Sequence, residues 1–314
     1  MARPWDGNLS RMVRRLVLVP LLLLFAFPLF AATFLADDGV TLYYDVAGRA
    51  HKGTEPVVLL SGGPGFSPEY LRPIAQKLGS KRQFILFHQR GTGRSPLATY
   101  DAKTLAIPNL VADLDGLRRE LNVQKLTLVG HSFGGILSMF YAVEHPDRIR
   151  ALALVDSGGP TLITVPKFVA NLNSRFTAED NAKIREWSDA ERMKENRRRA
   201  ILEITKAKSG AYFADRSKVH LLTDPMTEES FQDAMFYAVT GQLMSGFDLR
   251  AGLQKVEFPV LVIHGRQDPL ESAQEVHDSI PGSRLEMIEN AGHFPWLEQP
   301  KRVYGLLGEF LKRN

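Results

Sequence analysis

Apolar and polar residues are patterned along this chain in two registers. From residue 41 onward, short runs rich in Val, Ile, Leu and Phe occupy residues 41–46, 56–60, 84–88, 126–129, 151–155, 259–264 and 284–288. Several of these runs are nearly continuous, which is the pattern of strands buried on both faces of a parallel sheet. Stretches of helical period lie between them. The clearest, 105–121, sets apolar residues at 107, 110, 111, 114, 117 and 121 on one face. Strand and helix in alternation predict an α/β fold, a mostly parallel central sheet flanked by helices.

The alternation fails between about residues 160 and 253. That stretch is helical in character, with 179–199 and 227–243 as its clearest pieces, and its 14 Lys and Arg nearly cancel its 13 Asp and Glu. A helical block interrupting an α/β pattern reads as an insertion over the sheet, a helical cap at 160–253. The core is then formed by residues 37–159 and 254–314. The run Arg197-Arg198-Arg199 reads as a solvated helix face.

The first 36 residues follow neither pattern. Arg11, Arg14 and Arg15 precede an uncharged run over 16–36, rich in Leu, Phe and Val. A basic segment followed by an apolar one is the pattern of a secretory signal. The run is also long enough to cross a bilayer core, which takes about 20 residues. Residues 1–36 are therefore expected to be a signal peptide or an N-terminal membrane anchor, with membrane attachment through residues 11–36 in the second case. Positive charge on the N-terminal side places the body outside the cytoplasm, exported, periplasmic or secreted.

Charge and cysteine content narrow the chemistry. Four arginines against Asp6 in the first 15 residues account for most of the net charge of +4, so the body is close to neutral. That gives no electrostatic case for a nucleic-acid partner. The absence of cysteine excludes a thiol nucleophile, a disulfide framework and thiolate metal sites. The histidines show no metal-ligand spacing, and no cofactor or metal is expected.

Gly130-His131-Ser132-Phe133-Gly134 fits the pattern G-x-S-x-G. By composition alone this pattern would occur in about one chain in ten. Its setting raises its weight, because strand residues 126–129 precede it and helical residues 136–144 follow. A sharp strand-to-helix turn at Ser132 exposes the hydroxyl at the carboxyl edge of the sheet, on a helix N-terminus that favours developing negative charge. A serine hydroxyl needs a base. The loop after strand 259–264 holds one carboxylate, Asp268, and the loop after strand 284–288 presents one histidine, His293. This is the order Ser, acid, His, with Ser132 as nucleophile, His293 as general base and Asp268 as the acid that orients it. Asp156 also follows a strand and is the alternative acid. Ser61-Gly62-Gly63-Pro64-Gly65 follows strand 56–60. Pro64 cannot donate, so the expected oxyanion-hole donors are the amides of Gly63 and Phe133.

Residues 41–314 resemble the α/β-hydrolase superfamily, and within it the proline iminopeptidase-like group of serine peptidases. Ser61–Gly65 resembles that group's HGGPG, His88-Gln89-Arg90-Gly91-Thr92-Gly93-Arg94-Ser95 its DQRGxGxS, and Gly130–Gly135 its nucleophile elbow. Serine replaces histidine at 61 and histidine replaces aspartate at 88. The resemblance implies that the helical block is a cap shaping the substrate pocket, and that cap carboxylates bind the amino terminus of a peptide. The cap acids include Glu179, Asp180, Glu203, Asp215, Glu228, Glu229 and Asp233. The expected activity is that of a cofactor-free serine hydrolase acting on a short peptide or other small molecule. An esterase-like or amide hydrolase of the same fold is the alternative, and a non-catalytic binding protein the remote one.

Overall fold

The computed structural model describes Met1 and residues 30–314. Eight strands form one sheet: β1 (Phe30–Leu35), β2 (Thr41–Gly48), β3 (Val57–Leu60), β4 (Gln83–His88), β5 (Leu126–His131), β6 (Ile149–Val155), β7 (Val260–Gly265) and β8 (Arg284–Ile288). Their order is β1-β2-β4-β3-β5-β6-β7-β8. The pairs β1–β2 and β2–β4 are antiparallel and the remaining pairs are parallel. Every residue of β3, β5 and β7 is buried, as their continuous apolar runs require.

The two faces of the sheet read off the pleat. Along β3, Val58 and Leu60 join a core with Leu114 and Leu117 of the helix α2 (Ile107–Glu120) and Leu137 of α3 (Phe133–Glu144). Val57 and Leu59 face the opposite way, toward Ile74 of α1 (Arg72–Leu78) and Trp296, Val303 and Leu307 near the C-terminus. Each fully buried Leu or Val contributes about 1.5–3 kcal/mol relative to exposure. A one-residue slip of β3 would exchange the two sets, so its register is tightly set.

Between β6 and β7 the chain leaves the sheet for a run of helices: α4 (Val165–Ser174), α5 (Ala178–Trp187), α6 (Ala190–Glu195), α7 (Arg197–Ser209), α8 (His220–Thr223), α9 (Asp233–Leu243) and α10 (Arg250–Leu253). The stretch 179–199 is three helices rather than one. Asp189 accepts from the amides of Glu191 and Arg192, and Asn196 accepts from that of Arg199. Each side chain caps a new helix start and so ends the previous helix. Gln232 likewise accepts from the Ala234 amide, so α9 begins at Asp233 rather than near 227.

The chain then returns to the sheet through β7, α11 (Ala273–Ser279) and β8, and closes with α12 (Pro295–Glu298) and α13 (Pro300–Arg313). On α13, Val303, Leu306, Leu307 and Leu311 are buried along one face.

The expectation for residues 1–36 is corrected. Phe30–Leu35, the end of the apolar run, is a sheet strand paired residue by residue with Leu42, Tyr43, Tyr44, Asp45 and Val46 among others. Phe34 is buried, its ring 6.2 Å from Phe87 and 6.3 Å from Tyr44. A signal cleaved at residue 36 would delete this strand, and a membrane span would withdraw it from the sheet. No helix among the described residues is long and apolar enough to cross a membrane. Membrane attachment through residues 11–36, and the exported, periplasmic or secreted location drawn from it, fall with that segment; residues 2–29 lie outside the described residues.

Candidate active site

Ser132 stands between β5 and α3 with φ +54° and ψ −118°. A non-glycine residue there carries backbone strain of about 1–3 kcal/mol, held in place by what surrounds it. The Ser132 amide donates to Val155 O at 3.2 Å, and its carbonyl accepts from Gly135 and Gly158. Two flanking glycines permit the turn. A Cβ on Gly134 would lie 2.2 Å from Leu60 O, and one on Gly130 would lie 2.5 Å from Gly134 O. Phe133 opens α3, so its N–H is one that a helix leaves without an internal acceptor.

The loop after β3 lies against this turn. A Cβ on Gly62 would come within 2.7 Å of the Ser132 Cβ and 3.2 Å of its Oγ. Gly63 holds φ +111°, a conformation that suits glycine. Of the two residues that depart from the resembled motifs, Ser61 braces this loop and His88 braces the turn after β4. The Ser61 hydroxyl donates to Phe66 O at 2.6 Å, and Gln89 Nε2 donates to the Ser61 carbonyl at 2.9 Å. His88 Nδ1 accepts from the Arg94 amide at 3.1 Å, and a Cβ on Gly93 would strike that ring at 2.3 Å. Arg90 is buried against Asp113, with Nε–Oδ2 at 2.6 Å and Nη2–Oδ1 at 2.5 Å. The stretch 89–92 is thus a buried scaffold behind the glycine loop, while Arg94 is exposed.

Asp268 and His293 come together from the loops after β7 and β8. His293 Nδ1 donates to Asp268 Oδ2 at 2.8 Å, and both residues are buried. Burial alone would raise the Asp268 carboxyl; the charge and hydrogen bond of His293, then His264 and Asp156, outweigh it and hold it below the ordinary range. The Asp268 Oδ1 accepts from the Leu270 amide at 2.9 Å. Asp156 is at the end of β6, in the same buried cluster: one oxygen each of Asp156 and Asp268 and one nitrogen of His293 lie within 4.8 Å of one another. The hydrogen bond to His293 goes to Asp268.

One connection was invisible in the sequence. The Gly62 amide donates to Tyr70 Oη at 2.7 Å, and Tyr70 Oη lies 2.7 Å from His131 Nδ1. His131 Nε2 lies 2.8 Å from the carbonyl of His293. Burial pushes the Tyr70 phenol up, so it keeps its proton. Burial, then the neighbouring His293, pushes His131 well below its ordinary value, so it is neutral. The directions follow: Tyr70 donates to Nδ1 of His131, and Nε2–H donates to the His293 carbonyl. A relay of hydrogen bonds joins the glycine loop to the histidine loop beneath Ser132.

The helical block closes over all three loops. Ser230 and Gln232 bond the glycine loop through Ser67 N to Ser230 O at 3.0 Å and Gln232 N to Gly65 O at 2.9 Å. Tyr212 O accepts from the His293 amide at 2.8 Å, and Arg175 donates to Gln267 O at 2.6 Å beside Asp268. A cavity of about 280 Å³ opens beside the glycine loop, lined by Phe66, Glu69, Tyr70 and His88 from the core and by Leu222, Met226 and Glu229 from the block. Of the cap acids, Glu179, Asp180, Glu203 and Asp233 are spent on Lys183, Arg216, Arg199 and Arg197, and Asp215 caps Ser217. The carboxylates of Glu228 and Glu229 have no partner among the described residues, and of the two Glu229 lines the cavity.

Among the described residues, two groups could offer a metal three ligands, Asp45 with Glu69 and His88, and Asp156 with Asp268 and His293. The first is already bonded to a guanidinium, with Arg72 Nη2 2.8 Å from Asp45 and 2.6 Å from Glu69. In the second, His293 Nδ1 is engaged by Asp268. Neither donor set suits a cation as it stands.

A mostly parallel sheet in this order, with a serine on the β5–α3 turn and an acid–histidine pair on the loops after β7 and β8, defines a class of hydrolytic enzyme. Residues 55–300 match the family described as alpha/beta hydrolase fold, and the chain belongs to that family. A proline iminopeptidase from Clostridioides difficile (strain 630) is 24% identical over 291 residues, spanning 90% of this chain and 98% of its own. Among solved structures, proline iminopeptidase from Mycobacterium smegmatis superposes with a TM-score of 0.69 at 21% identity, covering 90% of this chain and 98% of that one. An esterase from Exiguobacterium antarcticum superposes with a TM-score of 0.64 at 23% identity, covering 90% and 100%. The protein is a hydrolase whose curated relatives place it with the proline iminopeptidase-like group.

Proposed function

We propose that the protein is a serine hydrolase with the triad Ser132, His293 and Asp268, and that it removes an N-terminal residue, proline above all, from short peptides. The observations that carry the chemistry are the strained turn at Ser132, whose neighbour His131 has its ring 4.7 Å from that of His293, and the buried His293–Asp268 pair with its 2.8 Å hydrogen bond. His293 takes the Ser132 hydroxyl proton as Oγ attacks the scissile carbonyl. Asp268 keeps the proton of His293 on Nδ1 and stabilises the imidazolium that forms. The amides of Gly63 and Phe133 receive the oxyanion, and removing one such donor typically costs about 10²–10³ in rate. The carbonyl reforms as the leaving amine takes the proton from His293, which leaves an acyl-Ser132. Water then repeats the cycle, with its proton passing to His293 and back to Ser132.

The peptidase reading rests on the curated relatives and on one feature of the cavity. Glu229 faces it from the helical block with its carboxylate unpaired, where a substrate ammonium would find a counter-charge. The esterase alternative draws on the neighbour from Exiguobacterium antarcticum and on the apolar lining of Phe66, Leu222 and Met226. A panel of proline anilide, N-blocked proline anilide and short-chain esters separates the two, with Ser132→Ala as control. The peptidase reading expects the free-amine anilide to be cleaved well above the blocked one, and Glu229→Gln to raise its KM by about tenfold, the loss of one charge-assisted contact of roughly 1.5 kcal/mol. Cleavage of esters alone rejects the peptidase reading and leaves the esterase.

A further inference from the structure

Asp156 is the residue of the buried cluster that the catalytic scheme leaves without a task. It is fully buried and holds φ +42°, an uncommon conformation for a side-chain-bearing residue. Its Oδ1 accepts from the Gly265 amide at 2.8 Å. Its Oδ2 is buried and has no hydrogen-bond partner if the carboxyl is ionised. A buried carboxylate oxygen without a donor is costly, about 1–3 kcal/mol or more for a charged group. The neighbouring acceptor is the Asp268 carboxylate, one oxygen of which lies within 4.8 Å of an oxygen of Asp156, and two ionised carboxylates that close in a buried site repel strongly. A single proton on Asp156 relieves both penalties: it removes one of the two charges and turns the unpartnered oxygen into a donor that Asp268 can accept.

We infer that Asp156 is a positioning residue that works in its neutral form, donating its carboxyl O–H to Asp268 and so holding the carboxylate that orients His293. This rests on the triad proposed above. The surrounding groups are consistent with it. His264 has Nε2 2.6 Å from Leu270 O and 3.4 Å from Asp268 Oδ2, with Nδ1 3.9 Å from Asp156 Oδ1. Burial pushes His264 below its ordinary value, so it brings no positive charge to Asp156. His131 and Tyr212, whose rings lie 4.7 and 5.3 Å from that of His293, are neutral. Glu298 is turned to the Gly292 and Asp215 amides, and Glu271 to Lys167 and Asn171. No cation among these groups favours an ionised Asp156, and burial followed by the charge of Asp268 pushes its carboxyl well above the ordinary range.

The test compares Asp156→Asn, Asp156→Ala and Asp268→Asn in kcat/KM against pH, with fluorophosphonate labelling of Ser132 as a separate readout. An amide reproduces a neutral carboxyl: its N–H can serve Asp268 while its oxygen accepts from Gly265. Asp156→Ala removes the donor, so a less compensated Asp268 holds the imidazolium more strongly. The expected result is that Asp156→Ala loses about tenfold in kcat/KM and moves the acidic limb about half a pH unit upward, while Asp156→Asn restores both to within about threefold of wild type. Asp268→Asn should lose about 10⁴. Loss of about 10³ or more in Asp156→Asn overturns the inference, because the residue would then act ionised. An acidic limb in Asp156→Ala that coincides with wild type also overturns it. If Asp156→Ala does not fold, the asparagine variant alone decides. Absence of labelling in the wild type instead overturns the proposed serine chemistry.

Discussion

At the residue scale, the site depends on side chains whose partners are set by burial more than by sequence distance. Ser132, Asp268 and His293, the proposed triad, stood out in the sequence because each lies on a loop after a strand, with Asp156 as the rival acid. Tyr70 and His131 could not, since 61 positions separate the two and nothing in either segment announces a pairing. Tyr70 is nonetheless the acceptor for the Gly62 amide and the donor to His131. Tyr70→Phe leaves both groups buried and unsatisfied, at about 1–3 kcal/mol each, and loosens the glycine loop, to which the proposed mechanism gives an oxyanion donor. Steady-state kinetics should show kcat lowered about 10- to 100-fold with KM changed less than threefold. A kcat within twofold of wild type would mean that the relay does not position the loop. His88 and Ser61, the two departures from the resembled motifs, were legible as departures, but their roles as loop braces appear only in three dimensions.

At the element scale, seven of the strands lay within a few residues of where the apolar runs predicted, and Arg284–Ile288 matched in full. The error was at the edge. β1 belongs to an apolar run that also satisfies the pattern of an export segment, and hydropathy alone does not distinguish an apolar edge strand from the end of such a segment. Pairing with β2 and burial of Phe34 against Phe87 decide it. The helical block failed differently: its stretch 179–199 was read as one helical piece because the stop signals were the polar caps Asp189 and Asn196, which resemble any solvated helix residue. A chain beginning at residue 37 loses β1 and exposes the edge of β2, whereas one beginning at residue 30 keeps both. Thermal melting should separate them, with the shorter chain less stable by about 3 kcal/mol or more from the loss of Phe34 alone. Equal melting temperatures would show that β1 contributes nothing to the fold.

At the scale of the whole molecule, ion pairs tie distant parts of the fold and set its acid limit. Burial would raise Asp45, but nearby His88, with Nε2 3.7 Å away, and the hydrogen bonds from Arg72 and Tyr43 pull it to about 2. Asp115 on α2 reaches about 2 in the same way, through Arg118 and Arg148, the latter from the segment after α3. Both carboxyls are more acidic folded than unfolded. The unfolded chain therefore binds more protons between about pH 4 and pH 2, and stability present above pH 4 is lost as pH falls through that window. Urea midpoints should drop between pH 5 and pH 2.5, and Asp115→Asn should start lower at pH 5 and drop less. An identical drop in Asp115→Asn would mean that the Arg118–Asp115–Arg148 group carries no such linkage. The helical block belongs to the same scale. Its hydrogen bonds to the glycine, acid and histidine loops mean that it frames the pocket, and no pattern in the sequence indicated which of its carboxylates would stay unpaired.

The most direct test of the central claim is the intact mass of the protein after reaction with a fluorophosphonate probe, followed by peptide mapping. The triad predicts a single adduct, on Ser132, formed with parallel loss of hydrolytic activity and absent from Ser132→Ala. An unmodified wild-type protein, or an adduct on another residue that accounts for the lost activity, would contradict it.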